Sequence, residues 1–250
     1  MSLTDSQLER YARHIVLREI GGEGQRKLLD SHVAVIGAGA IGSPVIQYLA
    51  AAGVGRMTIV DDDVVSLSNL QRQTLFRTAD EGAYKVDRAR AVVEALNPDV
   101  GLRVIHARFG VDDEVKIVAD ADVVVDGTDN FATRLLVADT CQHMQVPLVS
   151  ASVAQFDGQL AVYRGWEPGK PCYRCLVGSD PDREEQSCSE LGVLGAMAGV
   201  MGSLAAMEAI RVITGFGEDS AGKLLRVDAL TLRLRTVALP KDPGCPACAA

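Results

Sequence analysis

The residues best suited to chemistry lie in three stretches, and the first is "DDDVVSLSNLQRQ", Asp61 to Gln73. A dinucleotide-binding chain usually presents one acid at this place; here three are followed by Asn69, Gln71, Arg72 and Gln73. The guanidinium of Arg72 is a planar, permanently charged fork that suits phosphate oxygens. Asn69, Gln71 and Gln73 offer uncharged hydrogen bonds, and Lys85 in "GAYKVDRAR" can reach the same phosphates. The second stretch, "VDGTDN", puts Asp126 and Asp129 just beyond a strand. A carboxylate there can hold Mg²⁺ against phosphate oxygens. Two cations and a metal suit a triphosphate under attack better than a dinucleotide at rest.

The third stretch, "GAGAIG", Gly37 to Gly42, lies between an apolar run and a helical pattern. Gly37, Gly39 and Gly42 let phosphate approach backbone N–H groups at the positive end of a helix. Asp61 closes the next strand, where an acid can hold ribose hydroxyls. This establishes an adenine nucleotide and no more.

Four of the six cysteines form two C-x-x-C pairs, Cys172/Cys175 and Cys245/Cys248. In a reducing compartment such pairs point to metal rather than disulfides. Four thiolates with no open position describe a structural, tetrahedral Zn²⁺. A redox pair is the rival, disfavoured because no thioredoxin-like helix is expected after either one. Cys141 reads as a buried helix residue. Cys188 stands in a polar segment, where Glu184, Glu185 and Glu190 should raise its thiol pKa unless folding brings a cation near. His106, on an apolar strand, reads as a core histidine; His14, His32 and His143 read as surface residues. None is given a chemical role.

The elements that must position these residues alternate. Residues 4–29 look helical, with Leu8, Tyr11, Ile15 and Leu28 on one face and "GGEG" as a break. Strands are expected at 33–36, 57–60, 102–106, 123–125 and 148–150, with helices after the glycine turn and at 85–96 and 130–144. The rhythm predicts an α/β fold with a Rossmann-like doubly wound sheet, parallel in its first half. After Ser150, "GQLAVYR" and a hairpin in "GKLLRVDALTLRLRTVAL", alternating through Leu230, Leu232 and Leu234, should extend it with antiparallel strands. The chain reads as a single domain: a helical segment over 1–30, a nucleotide-binding half over 31–150, and a second half with the zinc site over 151–250.

Bulk properties narrow the classes. With 250 residues, 48% of them hydrophobic, the chain can build a sizeable core. Its net charge of −8 argues against a nucleic-acid or anionic-membrane binder. The charged N-terminus lacks the apolar core of a signal peptide, so a cytoplasmic location is expected. The uncharged stretch Leu191 to Met207 falls short of a membrane span and reads as a buried helix at or near a subunit interface.

Taken in order, "NLQRQTLF", "DGTDN", "PCYRC", "GVMGSLAAMEAI" and "GCPAC" behind "GAGAIG" resemble the ThiF/MoeB/HesA family. These are adenylyltransferases for ubiquitin-like sulfur carriers. The resemblance runs from "RYARHIVL" to the last cysteine pair. It implies that a β-grasp carrier's C-terminal Gly-Gly carboxylate attacks the α-phosphate of ATP, giving an acyl-adenylate and pyrophosphate. It implies that Asp129 holds Mg²⁺, that Asp61 takes the ribose, and that Ser68, Asn69, Leu70, Gln71, Arg72 and Lys85 contact the phosphates. Asp63 and Asn130 belong to the same set. Arg13 is implied to enter from the other subunit of a homodimer, and Cys188 matches a cysteine that links covalently to the carrier in some relatives. The sulfur donor should be a separate protein. One place departs: the family usually reads G-x-G-G-x-G and the fourth place here is Ala40, which would be strained if that position needed a positive φ.

Three rival readings stand beside this one. An ATP-dependent enzyme of the same superfamily could act on tRNA or a peptide, though the acidic charge counts against tRNA. An NAD-dependent oxidoreductase lacks a hydride-transfer constellation. A zinc-stabilised scaffold would do no chemistry.

Overall fold

β1 (His32–Ile36) is buried at every position, because both faces of this central strand are covered. The structure, a computed structural model, describes residues 3–110, 114–178 and 192–249. Around β1 the sheet runs β3-β2-β1-β4-β5-β6-β7-β8. The first five strands are parallel: β1, β2 (Arg56–Val60), β3 (Gly101–Ile105), β4 (Val123–Asp126) and β5 (Leu148–Ala154). Then β6 (Asp157–Tyr163), β7 (Lys223–Asp228) and β8 (Arg233–Ala238) add antiparallel pairs. The strand order reverses between β1 and β4, the place where such sheets take ligands.

Side-chain alternation divides the core. Val33 and Val35 point to one face with Met57, Ile59, Val45 and Leu49; Ala34 and Ile36 point to the other with Val124, Leu135 and Leu148. Three short helices come first: α1 (Asp5–Arg10), α2 (Ala12–Ile15) and α3 (Gly21–Asp30). "GGEG" thus opens a helix rather than breaking one. Leu8 is exposed and Ile15 half-buried, so of the expected apolar face only Tyr11 and Leu28 are buried.

α4 (Gly42–Ala52) follows the glycine turn and ends at Gly53, whose φ of 82° gives a left-handed cap. α5 (Lys85–Leu96), α6 (Glu114–Ala119), α7 (Phe131–Met144) and the one-turn α8 (Tyr173–Val177) come next, then α9 (Gly195–Thr214). α9 is long and apolar enough to cross a membrane by composition. Here it packs on α4, β5, β6 and α3. Small residues allow that approach: a Cβ on Gly202 would lie 2.5 Å from the Ile41 carbonyl oxygen. The chain itself buries one side of this helix, 44% of its apolar window, and leaves Val200 and Met207 exposed, with Leu194 just before it.

The hairpin differs from its expected form. Leu230 and Leu232 lie in the turn, not on an inward face, with exposures of 73% and 85%. Asp228 makes that turn by accepting from the Leu230 and Thr231 N–H groups and the Thr231 hydroxyl. β8 is an edge strand exposed throughout.

Candidate active site

Register brings the site together. Ile36 pairs with Val60 on one side and Asp126 on the other, so Gly37, Asp61 and Gly127 leave the sheet at one level. Gly37 takes φ +90°, and a Cβ there would sit 3.0 Å from the Gly127 oxygen. At Gly42 a Cβ would collide with the Gly37 carbonyl. The turn is a cradle only glycine can close, and α4 beyond it has no side-chain cap. At its start the Ser43 N–H already donates to the Gly39 carbonyl and Pro44 has no N–H, so what is left for an anion is the backbone of the turn itself. Ala40 is not among the positive-φ residues and its methyl group packs against the core, so the expected strain is absent.

A cleft of about 1010 Å³, including the part open to solvent, lies over these strand ends. Gly37, Gly39, Ala40, Asp61, Asp63, Arg72, Lys85, Asp129 and Asn130 all line it. Asp61 accepts from the Ala38 N–H at 2.7 Å and the Asp63 N–H at 2.9 Å, tying the glycine turn to β2. Burial pushes its carboxyl pKa up, against the opposing pull of Lys85 and these N–H groups. Lys85, the first residue of α5, is 3% exposed and its ammonium meets Asp63 Oδ2 at 2.8 Å. Asp129 is exposed at the cleft and has no hydrogen-bond partner among the described residues, which leaves its oxygens free for a cation.

Asp126 does a different job from Asp129. It is 1% exposed and accepts from the Thr128 N–H and hydroxyl and from the Ser150 hydroxyl. It shapes the loop. Asn130 caps α7 by accepting from the Thr133 N–H. Ser68, Asn69, Leu70 and Gln71 do not line the cleft; they form the turn behind Arg72, which donates to the Ser68 carbonyl while Asn69's carbonyl accepts from the Arg72 and Gln73 N–H groups. Gly42 sits behind the cradle rather than in the lining. Arg13 is exposed and does not line this chain's cleft. Cys188 lies outside the described residues.

Sequence reasoning missed Arg134. It lines the cleft, is 9% exposed, and donates Nε and a terminal nitrogen to the Thr128 carbonyl at 3.0 and 2.7 Å. Its place near the start of the helix after β4 does not set it apart in sequence from a surface arginine. Gln73 is 4% exposed, lines the cleft, and its buried Oε1 has no partner among the described residues. Such an orphan in a ligand cleft is what a bound donor would satisfy.

The histidine readings are reversed at two places. His32 is buried, with its ring nitrogens against the Asp120 carbonyl and the Thr58 hydroxyl. His106 is exposed past the end of β3, stacked on Tyr84 at 3.7 Å and hydrogen-bonded to the Asp62 carbonyl. Cys141 is buried in α7 as expected.

The four paired cysteines meet far from the cleft: all four Sγ atoms lie within 4.8 Å of one another. Individual separations of 3.8, 3.5 and 3.4 Å are far too long for a disulfide. They fit thiolates about 2.3 Å from one central tetrahedral ion. Between Cys172 and Cys175, Arg174 grips Asp139 of α7 through two 2.7 Å bonds.

The profile of the ThiF family matches residues 11–247. The SAMP-activating enzyme E1 of Haloferax volcanii is 44% identical over 249 residues, 99% of this chain and 91% of that protein. The molybdopterin-synthase adenylyltransferase of Escherichia coli is 41% identical over 98% of both chains. In the crystal structure of E. coli MccB with ATP the fold recurs, with a TM-score of 0.82 over 96% of this chain and 74% of that one at 23% identity. A match that begins at Tyr11 and ends two residues short of the last described position leaves the nucleotide cradle, the cysteine cluster and the strands between them inside one family: the chain belongs to the ThiF family.

Proposed function

We propose that this enzyme adenylates the C-terminal Gly-Gly carboxylate of a small ubiquitin-like sulfur-carrier protein, with release of pyrophosphate, in preparation for thiocarboxylate formation. The observation that carries the reading is the single cleft in which a glycine cradle, Asp61, Arg72, Lys85 and Asp129 converge. Relatives named as adenylyltransferases and as an activating enzyme, more than 40% identical along nearly the whole chain, support it.

The chemistry asks for positioning and charge stabilisation. A carboxylate oxygen attacks the α-phosphorus, a new P–O bond forms, and the bond to the bridging oxygen breaks with its electrons leaving on pyrophosphate. The attacking carboxylate is already ionised, so no base is required. Asp61 orients the ribose while fastened to the turn through the Ala38 N–H. Arg72 and Lys85 face the developing phosphate charge, and Arg134 holds the loop that carries Asp129. Asp129 would hold Mg²⁺, which supplies charge neutralisation on the phosphates. Zn²⁺ held by Cys172, Cys175, Cys245 and Cys248 would be structural.

The enzyme works as a cytoplasmic homodimer, and Arg13 completes the cleft of the other subunit. Exposed Val16, Leu17, Tyr48, Val200 and Met207 supply apolar surface for such a contact. Residues 1–30, 31–150 and 151–250 form one domain, whose last part takes the carrier. Cys188 acts only after the adenylate exists, and a separate protein donates sulfur. Neither nucleic acid nor membrane is a partner.

ATP–pyrophosphate exchange tests the proposal. Exchange should require a Gly-Gly-ended carrier and fail when the terminal glycine is removed. Exchange with no carrier, or with a free peptide alone, would overturn it.

A further inference from the structure

We infer that Tyr11, latched into Gly53 and Asn97, is a positioning residue that aims Arg13 at the cleft of the partner subunit. The inference rests on the reading that Arg13 serves a shared site.

Among the described residues before Gly21, Tyr11 is the only one that is buried, at 2% exposure. Its ring lies where any side chain at Gly53 would be, 2.4 Å from a Cβ built there. Gly53 therefore does two things: it ends α4 in a left-handed conformation and leaves room for the tyrosine. The Tyr11 hydroxyl accepts from Asn97 Nδ2 at 2.9 Å, and the same amide donates to the Ala50 carbonyl at 2.7 Å. Asn97 is fully buried, so this is a built socket and not a surface contact. Weaker ties flank it: Gln7 to Asp99 and Arg10 to the Leu96 carbonyl.

All these contacts fall at one end of two helices. α4 and α5 begin at the cleft, with the glycine turn and Lys85, and end at the latch, with Ala50, Gly53, Leu96 and Asn97. Eleven helical residues in α4 span roughly 16 Å at 1.5 Å each. The arm is thus fastened to the end of α4 remote from this chain's own nucleotide cradle, and Arg13 follows the anchor by two residues. Arg13 is exposed and does not line its own cleft, so an arginine held there is available to another. α4 becomes a strut that fixes one subunit's cradle relative to the arm it lends.

Mixed dimers test this, with two tags used to isolate them. Tyr11→Ala homodimers should lose about tenfold or more in exchange rate with little change in KM for ATP, the pattern of a contact made in the transition state. Tyr11→Phe, which keeps the ring and drops one hydrogen bond, should lose roughly two- to fivefold. In a mixed dimer of Tyr11→Ala with Asp129→Ala, the one complete cleft belongs to the Tyr11→Ala chain and is served by an intact arm. Its rate should return to about half that of the unaltered dimer, one cleft of two being complete. A mixed dimer as slow as the Tyr11→Ala homodimer, in a pair where Arg13→Ala with Asp129→Ala does recover, overturns the latch. Failure of both pairs overturns the shared-site reading beneath it. Should Tyr11→Ala not fold, the Tyr11→Phe homodimer decides: an unchanged exchange rate overturns the latch.

Discussion

Lys85 is almost wholly buried, yet the carboxylate it holds at 2.8 Å, on Asp63, is 69% exposed. The two partners therefore carry unequal risks. Removing Lys85 leaves a carboxylate that water can solvate, whereas removing Asp63 leaves an ammonium in a poorly hydrated place.

We predict that Lys85→Met, which also withdraws the cation that offsets the burial of Asp61, loses less stability than Asp63→Ala but about 10²–10³ in exchange rate, the usual cost of one preorganised electrostatic contact. Asp63→Ala should destabilise the nucleotide-free protein by about 1–3 kcal/mol. Denaturant titration beside the exchange assay checks both. Equal stability losses in the two variants would contradict the asymmetry.

Asp61 gives a prediction with a sign in pH. Its folded pKa is raised by burial, so relative to an unfolded chain the ionised form is disfavoured. Stability tied to this group is fully present below the ordinary aspartate pKa of 3.8 and falls as pH rises through the higher folded value. Asp61→Asn removes that penalty. Its stability relative to the parent should improve as pH climbs from about 4 into the neutral range, while ATP binding weakens through loss of the ribose contact. Melting curves across that window test the slope; a parent that gains stability over Asp61→Asn with rising pH would refute it.

The cysteine cluster predicts one zinc per chain. Its two halves join the loop after β6 to the C-terminal tail, where the Asp242 N–H donates to Cys175 Sγ at 3.4 Å and Lys241 reaches the Gly165 carbonyl. Metal binding contributes on the order of 10 kcal/mol in small zinc peptides, and a chain with so large a core should need it less. Chelation should therefore free the tail beyond β8 to protease before the domain unfolds. Metal analysis near zero in a protein with normal protease resistance would reject the site.

Much of the site was legible because its signals are local. "GAGAIG" needs only a preceding strand and a following helix, and both are there. α5 was bounded correctly by Lys85 and by Asn97-Pro98, whose proline disfavours helix at the residue before it. Arg134 was not legible. Its grip on the Thr128 carbonyl depends on how the chain turns out of β4, and in sequence it looks like any surface arginine on a helix. Leu230 and Leu232 misled for a related reason: alternation does not reveal that an aspartate two residues earlier will curl the chain. His32 and His106 exchanged environments because burial is set by which strand end faces the core, not by the residues beside them.

Gln73 separates stability from binding most sharply. The residue is 4% exposed, with Oε1 buried and unpaired among the described residues, and its Nε2 lies 3.7 Å from where a Cβ on Gly39 would stand. In the empty cleft a leucine of similar size would remove an unsatisfied polar atom, and replacing such a group by an apolar one is near neutral or stabilising. With nucleotide bound, the same change deletes a hydrogen-bond partner beside the glycine cradle. We predict that Gln73→Leu melts at or above the parent's temperature without ligand, yet gains less on ATP addition, about 1 kcal/mol less if one neutral hydrogen bond is lost. Thermal shifts with and without ATP measure the two terms separately. A variant that is less stable alone but shifts by the parent's full amount would show that Gln73 serves the fold and not the ligand.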